Sequence, residues 1–125
     1  MKNQSLLGYL YIALTIAFTV YGQVALKWRM NLKGAPPEGF GPTVLFLLRT
    51  LCDPYVLSTY AAALVASLTW MAALTKFDIS FAYPFMSLAF VLVLGLGALM
   101  LSEAVTAGKV AGMVLIVTGI FLSTR

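Results

Sequence analysis

Thr15, Thr19, Gln23 and Lys27 fall at every fourth position of one apolar stretch, so on a helix they share a single face, with Gly22 beside them. Hydroxyls, an amide and an ammonium in that order fit two roles. They can hydrogen-bond to neighbouring membrane helices, or they can line a path for a polar substrate. In the second role Lys27, with Arg29 close by, would attract an anion at the mouth of the path. Gln23 suits either role, whereas Arg29 suits anchoring at a membrane–water interface beside Trp28.

A second set, Tyr60, Ser67 and Trp70, is spaced by seven and three residues, which again is one helical face. An indole deep in an apolar helix needs an N–H partner or a cavity, so Trp70 reads as a pocket wall or as packed core. Tyr83 and Ser87 stand one turn apart around Pro84, which withholds a backbone donor and frees a carbonyl in the preceding turn. Proline near a helix start is also tolerated on structural grounds alone. Proton coupling usually relies on an acid within the membrane, and the one candidate is Glu103, near an interface.

Other chemistries lack their parts. The 125 residues contain no His, a single Cys (Cys52) and no carboxylate pair inside an apolar block, which leaves no hydrolytic dyad, triad or zinc site. No glycine loop followed by GK[ST] is present for a nucleotide phosphate. We therefore expect neither an enzyme nor a metal or cofactor site. The net charge of +4 fits basic residues gathered at membrane ends and does not point to nucleic acid.

These residues are carried by four blocks without Asp, Glu, Lys or Arg: Leu6 to Leu26, Tyr55 to Thr75, Ile79 to Ser102 and Val110 to Thr124. A bilayer core needs about 20 apolar residues per helical span. With 62% hydrophobic and 10% charged residues and a mean hydropathy of +0.98, a water-soluble fold would lack polar surface. The expectation is an all-α membrane protein with four transmembrane helices, over about 6–26, 55–75, 79–102 and 106–124, forming one domain over 1–125. The first block is long enough to span and lacks a cleavage site, so it reads as a helix rather than a signal peptide.

Between the first two spans runs a loop over about 30–53. Gly34, Pro36, Pro37, Gly39, Gly41 and Pro42 bar a long helix from its first half, and Thr43 to Leu51 reads as a short interfacial or re-entrant helix. Asp53 before Pro54 has the form of an N-cap with proline at the first helical position. A tight turn at Lys76, Phe77 and Asp78 makes the second and third spans a hairpin. Gly108, Gly112 and Gly119 give the fourth span a small-residue face suited to a close oligomer contact. Lys2, Lys76 and Arg125 share one side and Lys27, Arg29, Lys33, Arg49 and Lys109 the other, which favours a cytoplasmic first loop with dual orientation left open.

Three stretches resemble the drug/metabolite transporter superfamily in its four-helix form. They are Gly22, Gln23 and Lys27; Trp70 with Ser80 to Ser87, SFAYPFMS; and Ala111 to Leu122, AGMVLIVTGIFL. The last is similar to the fourth helix of small multidrug resistance transporters, where it forms the dimer contact. The AYPFMSLAFVLV segment and the GQ…K spacing are more similar to the small flippase subunits for aminoarabinose linked to undecaprenyl phosphate, and Glu103 matches an acid found there and in EamA-type transporters. Aligning Gly22 and Lys27 with the multidrug group puts that group's essential glutamate at Thr19, which does not ionise.

The resemblance therefore implies a multi-pass protein of the bacterial inner (cytoplasmic) membrane that moves a lipid-linked sugar between leaflets by alternating access. It implies a homodimer, or a heterodimer with a similar small subunit. Thr19, Gln23, Lys27, Arg29, Tyr60, Trp70, Tyr83, Ser87 and Glu103 are the candidate substrate residues. The alternatives are efflux of small amphipathic compounds and a non-transporting membrane subunit of a glycosyltransferase system.

Overall fold

The computed structural model describes the backbone of residues 2–125 and the side-chain environment from Leu6 onward; Lys2, counted above for orientation, lies outside the described side chains. Among the described residues all regular structure is helical. The first helix, α1 (Lys2–Lys33), continues past the expected end of its span. Residues 27–33 hold no Gly or Pro and are rich in the good helix formers Lys, Arg, Met and Leu, so nothing stops the helix there. It ends where Gly34 takes φ 79°, a left-handed conformation open to glycine.

A short helix, α2 (Phe40–Leu51), follows, and it starts before the expected Thr43 because Pro42 falls in its first turn, where no donor is lost. Then comes α3 (Pro54–Leu74), capped by Asp53, whose carboxylate accepts the Tyr55 N–H at 2.9 Å, as the Asp-Pro pair predicts. The third block differs from the single helix expected over 79–102. It is built from α4 (Ile79–Ala82), a 3-10 segment (Tyr83–Ser87) and α5 (Leu88–Met100). Pro84 has no N–H to give, and the backbone around it tightens into the shorter 3-10 pattern. The chain closes with α6 (Ala107–Ser123), whose N-cap Thr106 accepts the Lys109 N–H at 3.2 Å.

Three stretches are long and apolar enough to cross a bilayer: Leu6–Lys33, Pro54–Leu74 and Ile79–Met100. The helices α2 and α6 are apolar but shorter, with 12 and 17 residues. Large apolar side chains face outward, among them Leu64 at 63% and Leu115 at 72% exposure, as they do when the solvent is lipid. The chain is a multi-pass membrane protein.

Since lipid tails are as apolar as leucine, helices in a bilayer associate by close packing rather than by expelling water. Ile12, Ile16, Val20 and Val24, one turn apart on α1, are buried, while α3 offers the small residues Thr59, Ala62, Ala66 and Ala73. Gly22 lets the two backbones approach: a Cβ there would lie 3.3 Å from the Thr59 carbonyl oxygen. At the other end of the pair, a Cβ on Gly8 would come within 2.7 Å of the Phe77 ring. That ring stacks with Tyr9 at 4.9 Å and Phe81 at 5.0 Å, which fixes the α3–α4 turn against the start of α1.

Candidate functional site

The polar stripe of α1 meets α3 at Thr15 and Thr69, whose hydroxyl oxygens are 2.7 Å apart. Each also lies against a carbonyl of its own helix, Thr15 at 2.8 Å from Tyr11 and Thr69 at 3.0 Å from Ala66. One proton of the pair thus links the helices while the other returns to its own backbone. Thr15, at one end of the stripe, links the two helices and also borders the cavity.

Beyond it the stripe turns to a cavity of about 550 Å³ between α1, α3 and the 3-10 segment. Thr19 and Gln23 enter from α1, Tyr60, Ser67 and Trp70 from α3, and Tyr83 and Ser87 from the 3-10 segment. Pro84 matters here, because the 3-10 turn it imposes sets Tyr83 and Ser87 on the cavity side. Trp70 and Tyr83 meet edge to face, with centroids 6.0 Å apart and planes at 70°. Tyr60 and Tyr83 are 52% and 63% exposed, so the cavity is a groove open at its side rather than a sealed chamber.

The groove sets polar groups in a mainly apolar lining, and none of them is charged. No Asp, Glu, Lys or Arg lines it. The hydroxyls of Thr59 and Ser67 donate to their own backbone, at 2.6 Å to Val56 O and 3.0 Å to Ala63 O. That leaves the Thr19 and Ser87 hydroxyls, the Gln23 amide, the Tyr60 and Tyr83 phenols and the Trp70 indole as the groups that would meet a ligand. Such a set hydrogen-bonds and stacks on hydroxylated, neutral surface, and its volume falls in the range of small-molecule pockets. Among the described residues no cluster of His, Cys, Asp or Glu could hold a metal.

Three residues named from the sequence lie elsewhere. Lys27 is exposed one turn beyond Gln23 and does not line the groove. Arg29 pairs with Asp53, its Nε 2.9 Å from Oδ2, and its guanidinium sits 4.6 Å from the centre of the Tyr55 ring. Glu103 follows the end of α5: Leu101 and Glu103 both donate their N–H to Gly97 O, at 3.0 and 3.2 Å, across Ser102 at φ 55°. Its carboxylate oxygen fills the place a side chain on Gly97 would need, 2.6 Å from that Cβ position.

Asp53 does more than cap α3. It also receives Lys33 Nζ at 3.1 Å, so two cations at the end of α1 converge on the start of α3. Burial raises its pKa, yet the hydrogen bonds from Lys33, Arg29 and the Tyr55 amide outweigh that and hold it down at about 2. The extra two turns of α1 make this possible, and their helix-forming composition was the signal. Thr59, Ala63 and Ala66, also in the groove wall, were readable from their four-and-three spacing before Trp70.

The glycine face of α6 has no neighbour in the monomer: a Cβ added at Gly112 or Gly119 would meet nothing within 4 Å. The helix packs mainly on α5 and the 3-10 segment.

Fold and groove define a small multi-pass membrane protein with an uncharged groove, mainly apolar with a few polar groups, between its helices. In sequence the chain is similar to the "Probable 4-amino-4-deoxy-L-arabinose-phosphoundecaprenol flippase subunit ArnE" of Pseudomonas savastanoi pv. phaseolicola (strain 1448A / Race 6), at 29% identity over 103 residues, 82% of this chain and 84% of that protein. It is also similar to the "Probable 4-amino-4-deoxy-L-arabinose-phosphoundecaprenol flippase subunit ArnF" of Enterobacter sp. (strain 638), at 29% over 121 residues and 94% of each. No family model and no solved structure matches the chain.

Proposed function

We propose that this protein is a flippase subunit that moves a polyprenyl-phosphate-linked sugar, of the aminoarabinose kind, between the leaflets of the bacterial inner membrane. The observation that carries this reading is the groove: uncharged, lined by hydroxyl, amide and aromatic groups, and open at its side. A sugar can travel in such a slot while its polyprenyl tail stays in lipid. Lys27, exposed one turn beyond Gln23, is the group assigned to the phosphate, because Arg29 is engaged by Asp53 and Lys33 lines a different groove. The names of the two similar proteins support the same substrate class.

In this reading α6 is a fourth span, α2 lies in the interface, and the open glycine face of α6 contacts an identical or similar small subunit. Two units then enclose a path that alternates its access, with the groove serving each leaflet in turn. Thr19, where the multidrug group carries its glutamate, offers no ionisable group for proton coupling. Glu103 packs over Gly97 and does not line the groove, so it does not take that place.

Proteoliposomes with a fluorescent polyprenyl-phosphate aminopentose test the proposal, by the fraction of label reached by a membrane-impermeant quencher over time. Exchange above that of empty liposomes, slowed by Trp70→Ala, is the expected result. Proton-driven uptake of a cationic dye would favour efflux instead. Exchange equal to empty liposomes, with the protein copurifying with a glycosyltransferase, would favour the non-transporting subunit.

A further inference from the structure

The segment between α1 and α3 builds a second groove, separate from the first. Gly34 and Gly39 take φ 79° and 99°, which turns the chain out of α1 and into α2. The Thr43 side chain lies 2.8 Å from the Pro37 carbonyl and 2.6 Å from that of Gly39, so its hydroxyl pins the loop to the first turn of α2. Enclosed between them is a groove of about 400 Å³, lined by Pro37, Pro42, Leu45 and Phe46 together with the cations of Lys33 and Arg49.

The two faces of α2 say where this groove sits. At 100° per residue, Phe40, Val44, Leu47, Leu48 and Leu51 fall on one stripe, all exposed, with Phe40 at 88%. Arg49 lies nearly opposite that stripe. A helix resting its stripe among acyl chains carries Arg49 at the level of the headgroups. Among the described residues the ion pairs are Arg29–Asp53 and Lys33–Asp53, so Arg49 is in neither, and Lys33 uses one of its three donors on Asp53.

We propose that this groove binds the phosphate of an anionic phospholipid headgroup between Lys33 and Arg49. Two cations over an apolar lining match a phosphodiester followed by its glycerol and first methylenes; a free phosphate has nothing to place against Leu45 and Phe46. Binding there fastens the α1–α2 loop to one leaflet beside the Asp53 ion pairs. This does not depend on what the first groove carries.

The test uses the full chain purified in neutral detergent, with phosphatidylglycerol, phosphatidylcholine and inorganic phosphate as separate probes. Thermal stabilisation and lipid retention in native mass spectrometry are the readouts. Phosphatidylglycerol should stabilise and be retained, phosphatidylcholine should not, and Arg49→Gln should weaken the phosphatidylglycerol effect about fivefold. Trp70→Ala should leave it unchanged, which separates this site from the transport groove. Arg49→Gln melting like the parent in phosphatidylcholine establishes that the variant folds. Unaltered phosphatidylglycerol binding in that variant overturns the proposal, as does equal stabilisation by phosphatidylcholine. Equal stabilisation by inorganic phosphate would assign the groove to a soluble anion and overturn the lipid assignment.

Discussion

Trp70 of α3 and Tyr83 of the 3-10 segment meet edge to face at 6.0 Å, and this contact joins two walls of the groove. Only one other tryptophan, Trp28, is present, so a Trp28→Phe protein reports on Trp70 alone. Titration with a short-chain polyprenyl-phosphate aminopentose should change its emission saturably. Trp70→Ala removes the pair as well as any stacking on the sugar, and should weaken binding about tenfold. Trp70→Phe should lose less. Equal binding by the alanine variant would place the ligand elsewhere.

The Thr15–Thr69 link at 2.7 Å predicts a packing effect. Thr15→Val and Thr69→Val should each lower stability in detergent by about 0.6 kcal/mol, the average for such bonds in membrane proteins. The double variant should cost less than the sum, since either change already breaks the bond. Strict additivity in a double-mutant cycle would show that the bond contributes nothing.

The resemblance between what the residues foretold and what the fold displays is uneven, for physical reasons. Spacing by four and by seven brought Thr19, Gln23, Tyr60, Trp70, Tyr83 and Ser87 to one groove, because periodicity is a property of the helix itself. The Asp53 cap was legible because capping is decided within three residues. The ion pairs of Asp53 with Arg29 and Lys33 were not, since they depend on how far α1 continues and where α3 starts relative to it. Nor was the packing of Glu103 over Gly97, which rests on the left-handed turn at Ser102, an uncommon conformation for a residue other than glycine.

Acid should loosen the Asp53 cluster. The carboxyl titrates at about 2 when folded, below its ordinary 3.8, so its contribution is fully present above about pH 4 and is lost as pH falls toward 2. Asp53→Asn should melt at a lower temperature than the parent at neutral pH, and the gap should close between pH 4 and pH 2. A gap that stays constant through that window would show the carboxylate charge to be irrelevant.

Crowding at Gly8 offers a check on the other end of the pair. Gly8→Ala puts a methyl 2.7 Å from the Phe77 ring, and displacing that ring disturbs its stacking with Tyr9 and Phe81. Overpacking of this kind costs about 1–3 kcal/mol, measurable as a lower melting temperature. Gly112→Ala, with nothing within 4 Å of the new methyl, should leave the monomer's stability unchanged and weaken subunit association in a crosslinking assay.

The most direct test of the central claim, that an uncharged groove carries a lipid-linked sugar headgroup, is leaflet exchange of labelled polyprenyl-phosphate aminopentose in proteoliposomes without a proton gradient. Exchange should be faster than in empty liposomes, reduced about tenfold by Trp70→Ala and unaffected by Gly8→Ala in correctly folded protein. Exchange that matches empty liposomes, or that persists undiminished in Trp70→Ala, would contradict it.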